Sequence, residues 1–393
     1  MTDPGSKFEK VSAVSEVFTP STPVDRYAIF AGRMGQIMEI MAAWNNPGQH
    51  VVLFGERGVG KTSLANVLTE IFSNVDQTRI RYGRVNCTTD EKFTPLWRRV
   101  FRELNIDTYD EESLVLRPDD IRRVLAAAPI SLIVLDELDR VDDDETLTLL
   151  ADTVKALSDH AVRSTLVLVG VADSVEALIG DHLSIERALV QVAMPRMPEQ
   201  ELREIVDKGL KELDMSVEPG ANARIARLSE GLPHYTHLLA QHATLRAVQD
   251  DRSVVSDADV DGAIRAALDK AQHSVKSSYQ RAVRSVRTDA QYEEVLLACA
   301  LAKKDEFGFF AAGKVRQPLS TIMGRSVQIP AFARHLAAFT EGERDSVLTR
   351  VTVGKSKFYR FSNPMLQPYV VMQGVARGLV SEAQLRADPD LGG

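Results

Sequence analysis

Two stretches of this chain carry residues that chemistry, rather than packing, would select. The first is GERGVGKT, from Gly55 to Thr62, preceded by the apolar run VVLF at 51–54 and followed by helical sequence. Glycines let a main chain curl until successive N–H groups point inward, and the start of a helix adds its positive end. Gly55, Glu56, Arg57, Gly58, Val59, Gly60, Lys61, Thr62 and Ser63 are therefore expected to cradle a triphosphate. Lys61 would reach the β- and γ-phosphates, and the Thr62 hydroxyl would help hold Mg2+. The second stretch is LIVLDELD at 132–139. Four apolar residues deliver two acids to the edge of a core, Asp136 for the metal and Glu137 as the catalytic base that polarises water. Asp139 and Asp142, Asp143 and Asp144 read as solvated.

A scaffold must bring these stretches together. Short runs apolar on both faces recur at 51–54, 81–87, 131–137, 165–170 and 189–194, separated by helical sequence. That alternation predicts an α/β domain with a parallel sheet covered on both sides, over 24–195. Residues 1–23, rich in Ser, Thr and Pro, read as an extended arm. After Pro195 the strands stop, and helical periods near 198–213, 219–229, 233–249 and 257–270 predict a small all-helical domain over 196–274. Over 275–375, helices near 278–287, 290–303, 317–323 and 329–340 precede LTRVTVGKSKFYRFSN, an alternating pattern with a Gly-Lys turn. Helices followed by a hairpin predict a winged-helix domain, and 376–393 a flexible tail.

Composition narrows the function class. The formal net charge is -8, yet residues 276–360 hold 15 Lys and Arg against 8 Asp and Glu. A basic module on an acidic body points to a local nucleic-acid face. Arg334 and His335 on the helix at 329–340, with Arg350, Lys355, Lys357 and Arg360 on the hairpin, are the candidate contacts to duplex DNA. Two cysteines, Cys87 and Cys299, make a disulfide scaffold or a cysteine-based zinc site a poor reading. No stretch has the ~18 apolar residues of a membrane helix, and a cytoplasmic protein is expected. His234, His237 and His242 share a helix, but His242 lies far round it from His237, so they make no metal set.

In order, FAGR (30–33), the glycine loop, RVNC (84–87), LIVLDELD, LVLVGVADS and the helical region after MPRM resemble AAA+ ATPases of the origin-recognition and replication-initiator branch. The resemblance covers about residues 20–270. It implies that Phe30 and Ala31 lie beside the adenine, and that Asp173 stands at the sensor-one position, where relatives commonly have Asn. Arg187, in SIERALVQV, falls where such proteins present an arginine finger to a neighbouring subunit, with Arg163 as a rival. His234, in GLPHYTHLL, occupies the sensor-two position, usually Arg. A histidine there would contact a γ-phosphate weakly and pH-dependently, which implies slow hydrolysis. The expected protein is a homo-oligomer with ATP at the subunit junction, an ATP-controlled assembly factor on duplex DNA. The alternative is a STAND-like switch whose winged helix contacts a separate effector protein.

Overall fold

The computed structural model describes residues 4–73, 80–106, 115–171, 183–285, 290–354, 356–381 and 384. The chain divides into two compact units, Pro23–Pro195, and Met1–Thr22 together with Arg196–Gly393.

The N-terminal arm is helical rather than extended. Helix α1 (Pro4–Val17) buries Val14 and Val17, followed by Phe18 at 0% exposure. These apolar residues recur at helical spacing inside a polar sequence, which composition alone conceals.

In the unit Pro23–Pro195 a 3-10 turn at Tyr27–Ile29 leads into α2 (Met34–Trp44). Then follow β1 (His50–Gly55), α3 (Lys61–Ser73), β2 (Ile80–Asn86), α4 (Phe93–Glu103), α5 (Pro118–Ala127) and β3 (Ile130–Asp136). The unit continues with α6 (Asp144–Asp159), β4 (Thr165–Val171), a 3-10 turn at Leu183–Ala188 and β5 (Leu189–Ala193). The five strands pair in parallel in the order β2-β3-β4-β1-β5. β1 is buried along its whole length, as a strand covered on both faces requires. The register opposes Gly55 to Val171 and Asn86 to Asp136. The glycine loop and the two acids therefore leave the same, carboxyl edge of the sheet, where open α/β sheets bind ligands.

In the other unit, α7 (Glu199–Glu212), α8 (Pro219–Leu228), α9 (Pro233–Gln249) and α10 (Asp257–Lys270) form a helical cluster with two short paired strands, β6 (Ser216–Val217) and β7 (Val254–Val255). Ser256 and Asp259 close a capping box on α10. Further on lie α11 (His273–Val283), α12 (Tyr292–Leu301), β8 (Phe310–Ala311), α13 (Ala312–Met323), α14 (Ile329–Phe339), β9 (Leu348–Val353), β10 (Ser356–Phe361) and α15 (Leu366–Ala376). The last three strands form an antiparallel sheet in the order β8-β10-β9, with β9 and β10 as a hairpin.

The arm is fastened to one face of α9. His234, His237 and Gln241 sit at helical spacing. Gln241 Nε2 donates to the Phe18 carbonyl at 2.7 Å, the Thr19 N–H donates to His237 Nδ1 at 3.3 Å, and His234 Nδ1 donates to the Pro20 carbonyl at 2.7 Å. These histidines are structural latches, which explains their spacing without a metal. Burial pushes His237 down to about 4 from the ordinary 6.5. A base whose folded pKa is depressed stabilises fully above its unfolded value and loses that contribution as pH falls through 6.5 toward about 4. Acidification from pH 7 to 5 is expected to cost roughly 2 kcal/mol through His237. Thermal melts at the two pH values check this, with His237→Gln showing the smaller drop.

Candidate functional site

The loop is built by backbone that only glycine adopts cheaply. Gly55, Gly58 and Gly60 have φ of 153°, 89° and 96°. Behind Gly55 lies the Met194 carbonyl, so a Cβ there would collide with main chain. The turn delivers Lys61 and Thr62 as the first residues of α3. Lys61 is 8% exposed, and its Nζ donates to the carbonyls of Gly55 and Glu56, both at 2.8 Å. Burial lowers its pKa to about 8 from 10.5, against the opposing pull of Asp139, Asp136 and Glu56. Glu56 and Val59 are buried, Arg57 is exposed, and Gly58, Gly60, Thr62 and Ser63 are half-buried.

Asp136 is 2% exposed at the end of β3. Its Oδ1 accepts the Glu137 N–H at 2.8 Å, and its Oδ2 accepts Arg84 Nη2 at 2.7 Å. Arg84 also donates to Asn66 on α3, and Asn66 Nδ2 donates to the Val24 carbonyl at 3.3 Å. Ser63 Oγ accepts the Val24 N–H at 3.1 Å. α3 thus holds both the loop and the segment leading to Phe30 and Ala31, which are 9% and 3% exposed. Glu137 takes a left-handed φ of 59°, and its carboxylate pairs with Arg140 at 2.8 Å. Nothing local in the sequence marks Arg84, because its partners Asn66 and Asp136 are distant in the chain.

Asp139 and Asp143 are not merely solvated. Asp139 Oδ1 accepts the Val171 N–H at 2.7 Å, fastening the end of β4 beside β3. Asp143 caps α6 through the Thr146 N–H and pairs with Lys92 at 2.6 Å. Asp173 lies outside the described residues. Arg187 is exposed and pairs with Asp159 at 2.8 Å. His234 belongs to the other unit, with the Pro20 contact given above.

Among the described residues, no group of three or more His, Cys, Asp or Glu side chains converges on a metal position. Mg2+ keeps several waters and takes one or two protein oxygens together with phosphates. Thr62 and the buried carboxylate of Asp136 fit that limited donor set.

In the C-terminal segment Arg334, Arg350 and Lys357 are exposed, and Lys355 lies outside the described residues. Arg360 stacks over the Phe309 ring at 4.8 Å. His335 is a correction: it is 1% exposed, with Nε2 donating to the Ala290 carbonyl at 2.7 Å, because it sits on the same face of α14 as Phe332, Leu336 and Phe339. Lys314, Arg316 and Arg325 are exposed basic residues that the sequence reading passed over.

No helix among the described residues is long and apolar enough to cross a membrane. Residues 45–179 match the AAA domain family. No curated protein matches the sequence. Among solved structures, Cdc6p from Pyrobaculum aerophilum is 17% identical, covers 93% of this chain and 99% of its own, and has a TM-score of 0.50. The Walker-type ATPase of Pyrococcus abyssi is 16% identical over 90% of this chain and 99% of its own, also at 0.50. The Orc1 protein of Aeropyrum pernix in complex with DNA is 14% identical over 93% and 97%, at 0.47. At such identities the likeness is one of fold. Residues 45–179 thus match the AAA domain family, in a chain whose fold is similar to that of Cdc6p from Pyrobaculum aerophilum.

Proposed function

We propose that this chain binds ATP with Mg2+ and hydrolyses it between protomers of an oligomer, and that its C-terminal winged helix grips duplex DNA. One observation carries the nucleotide half: a left-handed glycine loop at the tip of β1 places buried Lys61 at the same sheet edge as Asp136 and Glu137. In this reading Lys61 turns from its loop carbonyls to the β- and γ-phosphates, and the loop N–H groups orient the triphosphate. Thr62 and Asp136 would hold the Mg2+, which when bound draws negative charge off the phosphates. Glu137 leaves Arg140, an exposed pair worth well under ~1 kcal/mol, and takes the proton of the attacking water. Arg187 likewise leaves Asp159 to act on the γ-phosphate of a neighbouring protomer. Calorimetry with ATP and Mg2+ tests the reading at its root, and no heat of association at any accessible concentration overturns it.

The DNA half is supported by the order of elements α12-β8-α13-α14-β9-β10 and by exposed Arg350 and Lys357 on the hairpin. Cations without base contacts grip phosphates, so affinity should fall steeply with salt whatever the duplex sequence. The double substitution Arg350→Glu with Lys357→Glu is expected to weaken binding by roughly tenfold or more and to flatten the salt slope by about two charges. Fluorescence anisotropy on a short labelled duplex reads both. An unchanged slope would remove the hairpin from the DNA interface and favour a protein contact there.

A further inference from the structure

Arg33 is a charged side chain at 2% exposure for which the nucleotide motifs give no reason. Gly32 and Arg33 both have left-handed φ, 63° and 61°, just before α2. A left-handed non-glycine residue persists only where its surroundings fix it, and two carbonyls are among the groups that hold Arg33. Nη2 of Arg33 donates to the carbonyl of Val59, inside the phosphate loop, at 3.0 Å, and to the carbonyl of Pro195 at 2.6 Å. Pro195 is the last residue of its unit, and Arg196 begins the next segment of the other. Two further contacts join the same parts. Gly55, the first glycine of the loop, backs onto the Met194 carbonyl, while the Met194 N–H donates to the Phe54 carbonyl at 2.7 Å. Gln36, one turn beyond Arg33 on α2, donates to the Ala193 carbonyl at 3.5 Å.

We propose that Arg33 is a positioning residue that couples the phosphate loop to the exit segment 193–195, so that nucleotide in the loop is felt where the chain passes into its second unit. This rests on the reading that the loop binds nucleotide. The trigger is Lys61. Its ammonium holds the Gly55 and Glu56 carbonyls, and a polyphosphate draws it away, so the loop backbone that Arg33 and Met194 touch must adjust. A planar guanidinium suits this role because it offers two fixed protons on one nitrogen to two carbonyls at once.

Amide hydrogen exchange on the full chain, with and without saturating non-hydrolysable ATP analogue and Mg2+, tests the coupling. In the wild type, nucleotide at about ten times its dissociation constant should slow exchange roughly tenfold in the loop, 55–63, and also in 193–199. In Arg33→Met, and in Arg33→Gln should the Met variant not fold, the loop stays protected while 193–199 no longer responds. Unchanged exchange at 50–54 and 130–135 establishes that the variant is folded. Protection of 193–199 in a folded variant equal to wild type overturns the coupling, as does protection of the wild-type loop alone. If the wild-type loop itself gains no protection, the nucleotide reading falls with it.

Discussion

Lys61→Ala is expected to reduce nucleotide affinity by at least about a hundredfold, close to the 2–3 kcal/mol of a charge-assisted hydrogen bond to a desolvated anion. The loop glycines still orient their N–H groups, so geometry survives and the loss is one of charge. Burial holds the Lys61 ammonium near a pKa of about 8, which leaves it protonated at neutral pH. Bound phosphate favours the charged form and raises that value. The free protein therefore loses affinity as pH climbs through about 8, while below it the affinity is level with respect to this group. Titration calorimetry of the wild type from pH 7 to 9 should show the fall, and Lys61→Arg should abolish its pH dependence in that range. Affinity within threefold of wild type in Lys61→Ala would mean that the loop does not hold phosphate through this lysine.

Glu137→Gln is expected to keep ATP affinity within a few-fold and to lower turnover by about a thousandfold, since the amide is isosteric but takes no proton. The same assay decides whether Arg187 acts across a junction. Arg187→Ala protomers retain the base and lack the finger, whereas Glu137→Gln protomers have the reverse. Each alone is inactive, and a mixture restores a fraction of wild-type phosphate release if base and finger meet between chains. No recovery, in a mixture shown to co-assemble, assigns Arg187 to its own protomer's surface pair with Asp159. Turnover that survives Glu137→Gln removes Glu137 from the reaction.

Much of the geometry of the candidate site was legible because its signals are local. Glycines at 55, 58 and 60 mark positions of positive φ, and Asp136 and Glu137 stand at the end of an apolar run that forms the buried strand β3. Both are decided within eight residues of chain. The histidines of α9 show the opposite case. His234 and His237 invite a chemical reading, yet their bonds go to Pro20 and Thr19, more than two hundred positions away. His335 looked like a DNA contact by its place on a helix, and the apolar face of α14 took it inside.

By itself the sequence determined which residue types stand at the ends of β1 and β3, because backbone sterics and strand burial are properties of short segments. Only the tertiary structure decided what those residues touch: Arg84 against Asp136, Asp139 against the end of β4, and Arg33 between the loop and Pro195. These are polar contacts between segments far apart in the chain. A buried charge must find a partner wherever packing supplies one, and no periodicity records which partner that is.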